Sequence, residues 1–484
     1  MNKSLMSTIL CNKVFLYLAS RYIVYAIQFI ALLLIANRLG PYQYGRWGFF
    51  ILICGYFMIV NFGLPHSLNV LLVQNKKNEI QTKDYIQSSF AAVGILSLVV
   101  VILALLYSIH PLAVFLKYDV GRLFYLICLF AVLFYFNSIF NTIYRIKNRL
   151  LEIAVNQSLI PFFILLAALF FSGEVLFRVL VVAYLVAQIA AFLMFVFRGA
   201  IPFDGHIRNS FVTTIFNKGF FLFLYNSCFY LILTTTSTII SYSYSVEEYG
   251  LYSFSYSLGH SVLLLLEAFT FIIFPKIIDK LYTGSIEEVK DVLSSVRINY
   301  VVSSHGLMYI AFAFFPLFIM LFPKYQLALP SLCLTALAVL LSTNSFGYNA
   351  YLIAKNDEKF MAFISIISLI VNIVIGVFIV WLELPFYYVV ICMMCSYLLF
   401  AFMCSLRATK KIGIDSSIIR IFDYVIPIRL MIPFACGLCI VVFQMYTFSF
   451  VPILLFGFLN ISSISKVLST IRTVLIKPDI VDLK

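Results

Sequence analysis

The sequence predicts an all-α polytopic membrane protein, and two observations support this prediction. Of its 484 residues, 63% are hydrophobic and only 11% are charged, whereas soluble domains typically carry about 25% charged residues. Apolar stretches of about 17 to 25 residues, long enough to cross about 30 Å of hydrocarbon, recur along the whole chain. We therefore expect a bundle of membrane helices with no soluble domain between them.

Apolar length and flanking charges predict fourteen transmembrane helices. They lie near residues 14–37, 45–73, 86–109, 122–144, 152–172, 175–197, 219–243, 250–274, 298–322, 328–354, 360–382, 385–405, 429–447 and 449–465. The last two are the shortest. Because residues 1–13 precede a full-length apolar helix without a cleavage site after a short apolar core, we expect the first helix to be an uncleaved signal anchor.

The excess of basic residues indicates membrane topology rather than nucleic acid binding. The net charge is +13, and Lys and Arg tend to stay on the cytoplasmic side of membrane helices. With a cytoplasmic N-terminus, 26 of the 33 Lys and Arg lie inside, 6 lie outside and Arg21 lies within the membrane. We therefore expect both termini in the cytoplasm, Glu247 and Lys324 outside, Lys77, Lys290 and Lys411 inside, and no nucleic acid partner.

Two segments of the chain recur at nearly the same offset, which predicts a duplicated unit. The pattern Tyr-Gly-x-Trp-x-Phe at residues 44–49 faces Tyr-Gly-x-Tyr-x-Phe at residues 249–254, a shift of 205. The Asn-Ser pair, Tyr and Ile within residues 137–146 face the same residue types within 344–353, a shift of 207. Both matches fall at equivalent ends of predicted helices, as an internal repeat requires.

This duplication predicts three parts of the chain. We expect an N-terminal six-helix lobe over residues 1–205, a second six-helix lobe over residues 206–410, and two additional transmembrane helices with a cytoplasmic tail over residues 411–484. Because six is even, both lobes enter the membrane in the same direction as parallel repeats. Transporters built from repeats hold their site between them.

Charges inside predicted helices are the most informative signal, since a charge at mid-bilayer costs about 2.5 to 3.5 kcal/mol on insertion scales and persists where it faces protein or water. Arg21 and Glu267 are the two clear cases. Polar and aromatic residues continue each charge at helical spacing. The stripes comprise Tyr17, Arg21, Tyr25 and Gln28 in helix 1, Asn226, Tyr230, Thr234, Ser237, Ser241 and Tyr244 in helix 7, and Tyr249, Ser253, Tyr256, His260 and Glu267 in helix 8.

These stripes have two interpretations. Ser, Thr and Tyr on membrane helices often hydrogen-bond to neighbouring helices. Three stripes in equivalent parts of two repeats favour a water-accessible cavity between the lobes. The candidate substrate-binding residues are then Arg21, Tyr25, Gln28, Asn226, Tyr230, Thr234, Ser237 and His260. Arg21 and Glu267 are also candidates for gating or coupling.

The sequence contains no motif that indicates catalysis or metal binding. It lacks a Gly-rich phosphate loop, a HExxH zinc motif and a GxSxG elbow. Two cysteine pairs, Cys392 with Cys395 and Cys436 with Cys439, have CxxC spacing without a second ligand pair, so we interpret them as packing residues. We therefore predict a membrane transporter with no catalytic residues, no metal and no cofactor.

Five segments resemble a known family. They are IANRLGPYQYGRWGFF (35–50), NFGLPHSLNVLL (61–72), VEEYGLYSFSYSL (246–258), FPKIIDKL (274–281) and YLIAKNDEKF (351–360). Their order and spacing resemble those of the Wzx-type polysaccharide flippases. These are the O-antigen transporters of the multidrug/oligosaccharidyl-lipid/polysaccharide (MOP) exporter superfamily. The resemblance covers roughly residues 10–405.

This resemblance implies a fold, a cargo and a location. The fold is a V-shaped pair of six-helix bundles whose helices 1, 2, 7 and 8 line a central cavity, and the lobes rock to alternate access. The cargo is an undecaprenyl-diphosphate-linked oligosaccharide that crosses the bacterial inner membrane during O-antigen and lipopolysaccharide synthesis. Implied partners are membrane lipids and the polymerase and chain-length proteins of the same pathway. Arg21 matches the cationic residues that the family commonly places in its cavity.

Two alternatives stay open. A multidrug or ion-coupled antiporter of the same superfamily would need a membrane acid, and Glu267 is the candidate. An oligosaccharide polymerase would carry a long external loop, which the sequence lacks. On the flippase hypothesis, Arg21 and Glu267 lie at similar depths, about 12 and about 13.5 Å from the cytoplasmic face at 1.5 Å per helical residue. We expect them to pair when that face is closed and to separate when it opens.

Overall fold

The chain is helical throughout its regular structure. A computed structural model describes residues 13–75, 78–199, 201, 204–218, 220–413 and 417–476. In these ranges the regular elements are α-helices and short 3₁₀ turns, with no strand. The all-α prediction is confirmed. The signal-anchor prediction and the predicted position of residues 477–484 lie outside the described residues.

Within these ranges, twenty α-helices are numbered in chain order. They are α1 Lys13–Ile59, α2 Leu64–Gln74, α3 Glu79–Ile109, α4 Ala113–Lys117, α5 Phe124–Ile146, α6 Leu150–Phe170, α7 Gly173–Phe197, α8 Asn209–Lys218, α9 Phe220–Ser243, α10 Val246–Ser261, α11 Leu264–Thr283, α12 Ile286–Met320, α13 Leu329–Thr343, α14 Tyr348–Ala354, α15 Glu358–Trp381, α16 Val390–Ile412, α17 Ile418–Val425, α18 Ile428–Val442, α19 Val451–Leu459 and α20 Ile461–Ile476.

Helix α1 contains the first two predicted helices, joined across a kink. Its 47 residues would extend about 70 Å at 1.5 Å per residue, more than twice the hydrocarbon thickness. The kink lies at Gly40, whose φ of 73° and ψ of 169° are not helical. Pro41 follows directly, and a residue before proline is disfavoured in the helical region. Glycine adopts the positive φ without the penalty of a Cβ atom.

The number of predicted transmembrane helices, fourteen, differs from the number of long apolar helices in the structure. Within the described ranges, ten helices are long and apolar enough to cross a membrane, or eleven if one bent pair is a single span. The bent pair is Tyr446–Leu459 with Ile461–Thr470, whose axes differ by 79°. The stretch Ser20–Gln74 counts once although it contains the kink, and Ile428–Val442 is short at 15 residues. The number of predicted helices therefore exceeds the number of long apolar helices because of the kink in α1, the bent pair and the short helix Ile428–Val442.

The predicted eighth helix is broken into α10 and α11. The amide of Leu263 donates to the carbonyl of His260, and Ser261 Oγ donates to the carbonyl of Leu258 at 2.6 Å. A serine hydroxyl that takes a nearby carbonyl competes with the helical ladder. The polar sequence Gly-His-Ser before the break thus explains why a continuous apolar helix does not form here.

The chain divides into two compact units. The first comprises Met1–Ser227 and Ser245–Gly250, and the second comprises Cys228–Tyr244 and Leu251–Lys484. Each unit has its own buried helix faces. The predicted boundaries at residues 205 and 410, and the parallel six-helix repeats, stay predictions.

The repeated Tyr-Gly pairs meet in the first unit. A Cβ atom on Gly45 would collide with the carbonyl oxygen of Val246, and one on Gly250 would collide with that of Pro41. Small residues allow helix backbones to approach closely in membranes. Tyr249 is buried beside them, its ring edge-on to Tyr118 with centroids 5.7 Å apart. Both copies of the sequence pattern therefore serve one close approach of two helices.

The core of the second unit contains a satisfied polar cluster. Asn372 on α15 donates to Thr236 Oγ1 at 3.2 Å and lies 3.3 Å from Cys392 Sγ. All three residues are fully buried. A buried amide that keeps its hydrogen bonds fixes the register of the helices that supply its partners. This cluster thereby aligns α9, α15 and α16.

Candidate functional site

Arg21 points into the first unit and has only neutral partners there. Its Nη1 donates to Gln157 Oε1 of α6 at 2.6 Å, and its Nη2 donates to the hydroxyl of Tyr25 at 2.9 Å. The guanidinium carbon also lies 5.0 Å from the centre of the Tyr25 ring. The ion pairs among the described residues do not include Arg21. Its positive charge is oriented but not neutralised.

The other predicted members of this stripe differ in exposure. Tyr25 is buried, whereas Gln28 is exposed, as is Asn226 of the predicted helix 7 stripe. The side chain of Tyr17 lies outside the described residues. Gln157 is the partner that sequence reasoning missed, since it is 136 residues away from Arg21. A glutamine in the apolar sequence of α6 was the available signal.

The hydroxyl groups of α9 are satisfied within the helix. Thr234, Thr236 and Thr238 each donate to the carbonyl four residues earlier, at 2.8 to 3.0 Å. Thr234 and Ser237 are buried, whereas the ring of Tyr230 is exposed. The predicted stripe of α9 therefore includes two buried hydroxyl residues, Thr234 and Ser237, and one exposed aromatic residue, Tyr230. The cavity role predicted for these residues stays a prediction.

His260 and Glu267 come together across the break between α10 and α11 in the second unit. His260 Nε2 lies 3.7 Å from Glu267 Oε1, and about half of each side chain is exposed, 42% and 46%. The ring of His260 also stacks on Tyr256 with centroids 5.7 Å apart. The break thus places an acid beside an imidazole that can exchange protons. The predicted pairing of Arg21 with Glu267 stays a prediction.

Arg46, a buried arginine in the first unit, has a very different environment from the partly buried Arg21. Arg46 is 4% exposed and forms ion pairs with Asp119 at 2.8 Å and with Glu174. Its Nε donates to the carbonyl of Tyr118 at 3.0 Å, and its guanidinium lies over the ring of Phe177. Two carboxylates therefore compensate this cation and connect α1 to the turn after α4 and to α7. Nothing in the sequence adjacent to Arg46 indicates these distant partners.

The start of α3 carries a buried acid that the sequence reading placed outside the helix. The structure begins α3 at Glu79 rather than at the predicted residue 86, so Asp84 falls within it. Asp84 is 1% exposed, pairs with Arg208 at 2.8 Å and accepts a hydrogen bond from the His206 amide at 2.8 Å. These bonds attach the segment before α8 to α3. Asp84 is therefore a structural acid near one end of a helix.

Comparison with known proteins is consistent with this architecture. The MurJ lipid II flippase in an inward closed conformation aligns with a TM-score of 0.66 at 12% identity, over 93% of this chain and 98% of that one. An inward-facing multidrug resistance MATE transporter of the MOP superfamily gives 0.58 at 14% identity, over 83% and 98%. A eukaryotic MATE transporter gives 0.52 at 14% identity, over 87% and 99%. At these identities the likeness shows the fold alone.

The fold is the all-helical membrane fold that the MATE transporter of the MOP superfamily and the MurJ lipid II flippase share. A sequence model described as "Polysaccharide biosynthesis protein" matches residues 10–281, more than half of the chain. The protein belongs to this polysaccharide biosynthesis family. A search of curated proteins gives no match.

Proposed function

We propose that the protein is a flippase that moves undecaprenyl-diphosphate-linked oligosaccharide repeat units across the bacterial inner membrane. The units would cross from the cytoplasmic to the outer leaflet and supply O-antigen or a related surface polysaccharide. Family membership and the flippase-type fold support this proposal, and Arg21 is the single observation that carries it.

The guanidinium of Arg21 has the donors that a diphosphate needs. Of its five N–H groups, one is used by Gln157 and one by Tyr25. Three N–H groups are left in a rigid planar fork, and arginine binds phosphate through paired hydrogen bonds. No carboxylate competes for the charge among the described residues. An anionic group on the cargo would therefore gain a charge-assisted interaction without first displacing an ion pair.

Glu267 and His260 supply the proposed coupling. An acid that is half exposed and lies 3.7 Å from an imidazole can take up and release a proton as its surroundings change. We assign this pair the role of linking cargo movement to the membrane potential. The same pair favours the alternative function, a proton-coupled antiporter of the MOP superfamily.

The test is the fate of the lipid-linked repeat unit when the gene is deleted. A flippase deletion should trap undecaprenyl-linked repeat units on the cytoplasmic side. Loss of a polymerase would instead leave single repeats on the outer face, still able to be ligated. An antiporter deletion would change drug or ion resistance and leave the repeat units normally distributed. Either of the last two results would contradict the flippase proposal.

A further inference from the structure

A cavity in the second unit has features that neither transport nor coupling explains. It has a volume of about 520 Å³ and lies between α12 and the segment that joins α17 to α18. The charge pattern predicts this end of α12, and the segment before α18, to be cytoplasmic. Its basic residues are Lys290, Arg297 and Arg429, and Asp423 is the single acid in its lining.

Arg297 forms the inner wall of this cavity without a carboxylate partner. Its Nη1 donates to the carbonyls of Asn344 and Phe346 at 2.7 and 3.0 Å, and its Nη2 donates to those of Tyr424 and Val425 at 2.6 and 3.3 Å. These carbonyls lie at or just beyond the C-terminal ends of α13 and α17, where the helix dipole is negative. The bonds hold Arg297 in place, but partial charges leave its full positive charge uncompensated.

The two other cations of the cavity are also unneutralised. The ion pairs found in the described part of the chain include neither Lys290 nor Arg429. Asp423 Oδ1 accepts a hydrogen bond from the amide of Ile428 at 3.2 Å. With three cations and one acid, the lining carries a net charge of +2. An anion is therefore favoured in the cavity.

Neighbouring basic residues on the same predicted cytoplasmic face differ from those of the cavity, because they have a carboxylate partner. Arg407 and Lys411 of α16 both pair with Asp357, at 2.9 and 2.8 Å. That acid is largely buried and offsets one of the two positive charges, which leaves a net charge of +1 at this cluster. The uncompensated positive charge is therefore larger at the cavity, where it is +2.

The rest of the lining is apolar, which identifies the kind of anion. Leu293, Val301, Ile428 and Leu430 supply hydrocarbon surface beside the cations. A free inorganic anion gains nothing from such surface, whereas a lipid phosphate with its glycerol and upper acyl carbons matches both parts. We propose that this cavity binds the phosphate headgroup of an anionic membrane phospholipid. The site is separate from Arg21 and does not depend on the identity of the transported cargo.

Lipid binding to the purified full-length protein tests the proposal. Native mass spectrometry would measure the affinity of dioctanoyl phosphatidylglycerol, with dioctanoyl phosphatidylcholine as the neutral comparison. We expect a preference for phosphatidylglycerol that falls about tenfold in a Lys290→Ala/Arg429→Ala double variant, since each basic residue adds to the attraction of an anionic headgroup. Lys410→Ala is the matched control, because this exposed lysine of α16 does not line the cavity, and it should bind as wild type.

Three results would overturn the proposal. Equal affinity for the two lipids would remove the role of charge. An unchanged affinity in the double variant would place the lipid elsewhere. If inorganic phosphate raised the melting temperature of the protein as much as dioctanoyl phosphatidylglycerol does, the ligand would be a free anion rather than a lipid. Arg297 is not replaced in this test, because its four bonds to backbone carbonyls also hold the fold together.

Discussion

Arg46 and Arg21 lie on the same kinked helix and differ in what surrounds their charge. Arg46 is enclosed by Asp119, Glu174 and backbone carbonyls. Arg21 is oriented by Gln157 and Tyr25, which are neutral. A buried charge whose partners compensate it can hold a fold together, whereas an oriented charge without a counter-ion is available to a ligand. The partners of an arginine, rather than its depth alone, separate these two roles.

The largest effect expected is on stability, from Arg46→Ala. Removing Arg46 breaks its hydrogen bonds to the carbonyls of Tyr118 and Asp119 and both ion pairs, whose carboxylates are 81% and 37% exposed, and we expect a cost of about 1 to 3 kcal/mol. Thermal unfolding in detergent, followed with a thiol-reactive dye, would measure it because Cys54 and Cys333 are buried and become reactive on unfolding. Arg38→Ala is the control, since the partly buried Arg38 donates to the carbonyl of Phe171 and belongs to none of the ion pairs found among the described residues. Equal melting temperatures for both variants would remove the structural role of Arg46.

Arg21→Ala should have the opposite profile, a loss of transport in a protein that still folds. Without the guanidinium the cargo diphosphate loses its paired hydrogen bonds, so surface polysaccharide in a complemented deletion strain should fall at least tenfold. Arg21→Lys should keep part of the activity, because an ammonium preserves the charge but not the planar fork. Immunoblots should show normal protein levels. Full surface polysaccharide from Arg21→Ala would contradict the proposed phosphate role.

Glu267→Gln tests the charged residue of the second unit, and we expect a smaller effect on transport than that of Arg21→Ala. The variant should fold, since the acid is about half exposed, and should lose coupling or be held in one orientation.

An exchange of charges, Arg21→Glu with Glu267→Arg, tests the predicted pairing of the two residues. If they pair, the double variant should recover protease resistance that either single charge reversal lacks. Transport in the exchange variant is expected to stay low, because the phosphate site would be on the wrong helix.

The smallest effect expected concerns Asp357, a largely buried acid that pairs with Arg407 and Lys411. Burial opposes ionisation of this carboxyl, but hydrogen bonds from Arg407 and Lys411 outweigh it and lower the pKa of Asp357. A lowered folded pKa contributes stability that is fully present above the usual aspartate pKa of about 4 and is lost as pH falls through the folded value. Asp357→Asn should therefore melt below wild type at pH 7, by an amount that corresponds to about 1 kcal/mol. The difference should shrink below about pH 4, and a constant difference would contradict this origin.

The sequence predicted local features well and long-range partners poorly. Apolar length predicted the long apolar helices, because it is a property of neighbouring residues. The kink at Gly40 was not predicted, although the sequence Gly40-Pro41 explains it. The carboxylate partners of Arg46 lie 73 and 128 residues away, so no helical period relates them to it. The same reason hid Gln157. The pairs at residues 44–45 and 249–250, which match at a shift of 205, approach each other closely, although the duplication of the lobes stays a prediction.

The network around Arg46 also relates folding to the order of synthesis. A growing chain inserts α1 first, and domains generally assemble from the N-terminal side during translation. Asp119 and Glu174 are made 73 and 128 residues after Arg46. Until Glu174 is synthesised, Arg46 has at most Asp119 as a carboxylate partner, and the ion pair that connects α1 to α7 cannot form. Truncated nascent chains that end before α7 should therefore stay protease-sensitive at the Arg46 turn, and chains that extend past α7 should become resistant there.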